Sequence, residues 1–305
     1  MPDVPDLPAP LPTEALPPRL LWRGESLPAE AGRLCLPADV EREVDAIAAA
    51  LERDPVPLLL LRPEDFALDA ARRFMREVKQ SLDEGPGFAI VDRLPVERWS
   101  PRGARAVWWL LASLVARPVA QKWDGTSIYD VQDLGRPPGN GVRPDVTNVE
   151  QNFHTDNSYN HVAPHYVGLM CVRTAMEGGV SGIVSLATAH EEMRRSHPDL
   201  LARLYRPFYF DRQREHAPGD AITTYHPLFE RPRAPGRAAV AVPGRQRPQA
   251  CRRAARHPGR RRPRSLRGNP QCAGPGSTLS VSARTDAADR QSCARPQAHR
   301  LPGLA

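Results

Sequence analysis

The 305 residues lack any close cysteine pair. Cys35, Cys171, Cys251, Cys272 and Cys293 are odd in number and contain no CxxC. Neither a disulfide framework nor a zinc ribbon is expected from them, and a reduced cytoplasmic enzyme is the default. No apolar run nears the roughly 20 residues that a membrane helix needs; the longest, Val107 to Ala116, falls well short. The start, Met1-Pro2-Asp3-Val4-Pro5-Asp6, has no basic opening followed by an apolar core, so a secretory signal is not expected. GxGxxG and Walker patterns are missing too, as is any repeat of fixed period, which removes nucleotide-cradling readings and solenoids.

The largest absence is local. From Arg231 to Ala305 there is no Phe, Trp, Tyr, Ile, Glu or Lys, while 17 Arg and 10 Pro crowd the same stretch with only two acids, Asp286 and Asp289. The first 230 residues carry 25 basic and 33 acidic groups and every aromatic, so the chain's net charge of +7 belongs to its tail. Such a tail has too few large apolar side chains to offset the entropy of ordering it, and disorder is expected. Its arginines could neutralise phosphates. It offers no aromatics for base stacking and no recognition pattern, so nucleic acid is not the expected partner.

What remains suits one domain with a Pro-rich arm over residues 1–30. Asp39 caps a helix with apolar positions Val40, Val44, Ile47 and Leu51, ended by Pro55. Val56–Leu61 reads as a strand between prolines. A second helix starts at Pro63 (Leu68, Phe74, Val78, Leu82) and stops at Gly85-Pro86-Gly87. Phe88–Val91 reads as a buried strand, and Ser100-Pro101 opens a third helix carrying Trp108 and Trp109, which are expected as core and rim. Short β-type runs follow at Ser127–Val131, Val149–His154, Tyr166–Val172, Gly182–Leu186 and Arg206–Asp211, interrupted by an amphipathic segment, Ala189–Tyr205. Helices first and many short strands after point to a mainly-β barrel or double sheet with flanking helices.

Chemistry concentrates in Asn148-Val149-Glu150-Gln151-Asn152-Phe153-His154-Thr155-Asp156-Asn157-Ser158. On a strand, His154 and Asp156 would share a face. Together they supply two-thirds of a 2-His-1-carboxylate triad, which leaves iron positions open for co-substrate and oxygen. Alone the HxD is weak, and a surface pair is the plainer account. Downstream stand Pro164, the run Tyr166-Val167-Gly168-Leu169-Met170-Cys171, and Gly178-Gly179-Val180-Ser181 leading into Gly182-Ile183-Val184-Ser185. Adjacent glycines can take φ > 0 and let a turn approach a ligand, although an ordinary hairpin turn uses them the same way. Asn157 and Tyr159 could line a substrate pocket or simply turn the chain. His161, His165, His190 and His197 are expected as exposed loop residues.

This order resembles the taurine dioxygenase-like (TauD/TfdA) family of iron(II)- and 2-oxoglutarate-dependent oxygenases, over roughly Phe88 to Phe229. The resemblance implies a double-stranded β-helix (jelly roll) over residues 31–230. It also implies iron held by His154 and Asp156, 2-oxoglutarate as co-substrate bonded by Ser181, and hydroxylation of a small molecule with O2. The family also needs a distal His and an Arg for the far carboxylate of 2-oxoglutarate. Here His257 and His299 lie in the Arg-rich tail, while His216 and His226 come too early.

The abrupt change of composition suggests a gene read out of frame after about Phe229 to Arg237. Back-translating Thr278–Ala305 and reading one base later permits a string ending Gly-His-x-Arg-Thr-x-Phe-Arg-Asp-Trp, similar to the family's C-terminal strand and distal histidine. The expected protein is therefore a dioxygenase impaired by loss of that His and Arg, with an incomplete jelly roll and a tail over residues 231–305. Two alternatives stand beside it. One is a non-catalytic remnant of the family; the other is a binding protein with a basic, polyanion-binding tail. Substrate and oligomeric state are not legible.

Overall fold

The computed structural model describes residues 11–137, 142, 144–160 and 163–230, together with the backbone of a strand at 279–283. These fall into two compact units.

The first unit is built on Gly24–Val119, with Val167–Ile183 and the strand Leu279–Ala283. Three helices form its core: α1 (Ala38–Arg53), α2 (Asp69–Asp83) and α3 (Pro101–Val115). α1 buries Val40, Val44, Ile47, Ala48 and Leu51, the stripe that its four-three-four spacing predicts. α2 begins later than expected. Pro63 opens only a 3-10 turn, Pro63–Asp65. The helix proper starts where Glu43 of α1 can accept from the backbone N–H groups of Ala70 and Ala71, both at 2.8 Å. A carboxylate from a neighbouring helix thus satisfies two of the four orphan donors at this N-terminus. α3 starts at Pro101 because the Ser100 hydroxyl accepts from Gly103 N–H at 3.0 Å. Trp109 is buried with Nε1 donating to the Leu61 carbonyl at 3.1 Å, and Trp108 stands half-buried beside it. The two tryptophans divide between core and rim.

Leu82 lies on the inward face of α2 with no exposed surface. Leu82→Ala should cost about 2–5 kcal/mol, the range for buried leucine truncations. Urea unfolding of the two proteins measures it; a loss under 1 kcal/mol would mean that α2 does not seal this core.

The unit's sheet runs β1 (Arg33–Cys35), β2 (Ala89–Asp92), β6 (Leu279–Ala283), β3 (Tyr166–Met170), and β1, β2 and β6 pair in parallel. The expectation of a disordered tail over 231–305 meets a strand at 279–283; the remainder of that tail lies outside the described residues. Cys171 is a free thiol.

The second unit contains α4 (Leu186–Ser196), α5 (Pro198–Leu204) and an antiparallel hairpin of β4 (Pro207–Asp211) and β5 (Thr223–Pro227). The amphipathic segment expected over Ala189–Tyr205 is thus two helices, split at His197-Pro198, since proline cannot donate to the preceding turn. Ser185 caps α4 by accepting from Thr188 N–H at 3.0 Å, and its hydroxyl donates to the Leu20 carbonyl. Thr188 donates to the Trp22 carbonyl at 2.9 Å, and Arg23 pairs with Glu192. The Pro-rich arm therefore ends against α4 in this unit. Residues 1–10 lie outside the described part.

Several expectations from the sequence need correction. Val56–Leu61 is not a strand: Leu58–Leu60 forms a 3-10 turn, since Pro55, Pro57 and Pro63 leave few backbone donors for a ladder. Ser127–Val131, Val149–His154 and Gly182–Leu186 have no strand structure either. Apolar alternation is not enough without a neighbour to pair with. Among the described residues helix exceeds strand, so the mainly-β content expected of a jelly roll is not found there.

Candidate metal centre

His154 and Asp156 sit in an irregular stretch rather than on a strand, yet the backbone still brings them together. Imidazole Nε2 and carboxylate Oδ1 are 3.3 Å apart, with side chains 53% and 49% exposed. The other ring nitrogen, Nδ1, donates to the Asn152 carbonyl at 2.7 Å. A backbone carbonyl on Nδ1 is the usual device for turning Nε2 towards a metal and fixing the tautomer. Two neighbouring ligands at right angles on a metal with bonds of about 2.1 Å stand about 3 Å apart. The donor set therefore suits one edge of a metal's coordination shell. Both groups bind a metal in their deprotonated forms.

The chain reverses directly after Asp156. Asn157 takes φ +54°, a left-handed conformation that asparagine tolerates better than most residues. Its carbonyl accepts from Asn160 N–H at 2.9 Å, and its Oδ1 accepts from the Tyr159 hydroxyl at 3.2 Å. Tyr159 is buried, and its own carbonyl accepts from the Thr224 hydroxyl of β5 at 2.5 Å. Asn157 and Tyr159 thus both take part in the turn that follows Asp156.

No group of three or more His, Cys, Asp or Glu side chains converges among the described residues. His257 and His299 lie outside them, as does His161. His226 is buried on β5, stacked flat on Phe210 with ring centroids 4.3 Å apart, and His216 is half-buried. Ser181 is exposed in the first unit, in a segment without regular structure. Gly178 and Gly179 do take positive φ, +70° and +68°. His165 is half-buried near the Tyr166 ring, and His197 is exposed.

His190 departs from the exposed loop position expected for it. It lies on α4, 3% exposed, with Nε2 at 2.8 Å from the Tyr205 hydroxyl and its ring edge-on to Tyr205 and Phe229. Burial holds its imidazole below the usual histidine range, against the pull of Glu191. The hydrogen bonds from Arg194 hold Glu191 itself below the usual carboxylate range. A signal for this burial existed: His190 falls three residues before half-buried Met193, on the same helical face.

With that geometry in place, comparison with known proteins is informative. No curated protein matches the chain. The sequence model of the family described as "Taurine catabolism dioxygenase TauD, TfdA family" matches residues 55–268, a stretch that takes in His154, Asp156, Ser181 and His257 and stops short of His299. A match over that share of its length makes this chain a member of the TauD/TfdA family, a family of iron(II)- and 2-oxoglutarate-dependent dioxygenases.

Proposed function

We propose that the chain derives from an iron(II)- and 2-oxoglutarate-dependent dioxygenase that hydroxylates a small molecule, with His154 and Asp156 as two of its three metal ligands. One observation carries the reading: the 3.3 Å approach of Nε2 to Oδ1, with Nδ1 anchored on the Asn152 carbonyl, in a member of a family that uses such a pair. His154 contributes a neutral nitrogen and Asp156 a charged oxygen. Ser181 donates its hydroxyl to a carboxylate of 2-oxoglutarate, on a turn that Gly178 and Gly179 leave uncrowded. When bound, iron supplies the oxygen chemistry, in which O2 oxidises 2-oxoglutarate to succinate and carbon dioxide and hydroxylates a substrate C–H bond. The cytoplasmic setting read from the sequence belongs to this proposal.

In the same reading, the gene loses its frame between the codons for about Phe229 and Arg237. This removes the distal His and the co-substrate Arg, leaves a jelly roll short of its last strands, and makes residues 231–305 an unselected tail. A second reading has one observation behind it. The family match runs on to residue 268, so it includes His257, which would then complete the ligand set from within the tail.

Anaerobic equilibrium dialysis of the purified chain against iron(II), with and without 2-oxoglutarate, tests the function. Weak iron uptake that rises with 2-oxoglutarate supports a surviving half-site. No uptake of either points to the non-catalytic remnant. Tight uptake that His257→Ala abolishes establishes the second reading.

A further inference from the structure

Building on that proposed metal pair, we infer that Thr224 is a positioning residue: from β5 it clamps the turn that aims Asp156 at His154. Three observations join here. Asn157, next to Asp156, holds φ +54°. Tyr159 bonds the Asn157 side chain at 3.2 Å. The Thr224 hydroxyl, in a buried bond of 2.5 Å, holds the Tyr159 carbonyl. Each link passes a constraint to the next, and the last rests on the most regular part of the unit, since β4 and β5 pair from Pro207↔Pro227 to Asp211↔Thr223. Thr224 itself is buried, set opposite Phe210 and two residues from buried His226 on the same face.

The physical argument is one of preorganisation. A left-handed residue beside a ligand is costly to hold, and an exposed carboxylate has several rotamers and backbone directions open to it. A metal that must first gather its ligands binds more weakly than one meeting them in place. The stretch Asn148–Asp156 has no ladder of its own to fix it. The hydroxyl of Thr224 supplies that fixity from a residue 65 positions on from Tyr159.

The test compares Thr224→Val, which keeps the shape and removes the hydroxyl, with Thr224→Ser, which keeps the hydroxyl. Tyr159→Phe, which removes the phenol bond to Asn157, serves if the valine variant does not fold. Cobalt(II) affinity is measured by titration calorimetry, and metal-free amide exchange is read at Asn160, whose N–H bonds the Asn157 carbonyl. Thr224→Val or Tyr159→Phe should weaken cobalt binding by about 10-fold or more, as lost supporting bonds typically do. The same variants should speed exchange at Asn160, and Thr224→Ser should restore both. A merely structural threonine would lower the melting temperature yet leave the affinity of the folded protein and the exchange at Asn160 unchanged; that result overturns the inference. If the unmutated chain takes up no cobalt, the proposed function fails instead, and exchange at Asn160 alone decides whether Thr224 holds the turn.

Discussion

Replacing His154 or Asp156 by alanine, in the protein read from a frame-corrected gene, should abolish iron-dependent turnover of 2-oxoglutarate. Supporting residues around a metal commonly cost 10–100-fold when lost, and a direct ligand should cost more. The two substitutions should also differ in kind. His154→Ala frees the Asn152 carbonyl and removes the nitrogen donor, whereas Asp156→Ala leaves an imidazole still oriented through its 2.7 Å bond to that carbonyl. Residual iron uptake should therefore survive better in Asp156→Ala than in His154→Ala. Succinate release measured with iron(II), ascorbate and oxygen, alongside iron content, checks both points. Turnover near the unmutated level in either variant would remove these residues from the ligand set.

The chain as written should release no succinate above background, while restoration of the frame at the codons for residues 229–240 should raise activity by orders of magnitude. Two donors hold a metal poorly, and no third joins them among the described residues. Phe153, Met176 and Val180 stand largely exposed, as do Trp123 and Val131. Apolar side chains exposed in clusters mark surfaces that another segment or partner covers. Resequencing that window of the gene, followed by expression of both forms, decides the matter. Robust succinate formation by the 305-residue chain would show that the tail completes the site.

How far the sequence reached can be judged from single residues. Val40, Val44, Ile47 and Leu51 were legible because a helical stripe needs only its own spacing to declare itself. Ser100 was legible as a cap because its partner, Gly103, is three residues away. The late start of α2 was not, since it depends on Glu43 arriving from another helix. The runs Ser127–Val131 and Val149–His154 misled for the same reason in reverse. They have the composition of strands, but a strand is a relation between two segments.

The HxD pair was singled out by residue type and spacing, and its reading as a metal pair came from the family resemblance. Its support was not: Asn152, two residues before His154, acts through a carbonyl that every residue possesses, and Thr224 acts from a distant hairpin. Neither carries a mark in the primary sequence. His190 shows the opposite failure, where a polar letter concealed a core position that its helical neighbours could have disclosed.

The bonds from Leu20 and Trp22 to the start of α4 have a consequence for the order of events during synthesis. Their partners lie 165 and 166 residues apart in sequence. The segment carrying Leu20 and Trp22 is made before its partners, and most of the described chain must follow before Ser185 and Thr188 exist to receive it. Contacts of such sequence separation close late. Until then the carbonyls of Leu20 and Trp22 lack these two hydroxyl donors. A chain cut off before residue 185 could make neither bond, so Leu20 and Trp22 should be docked only in chains that extend through α4.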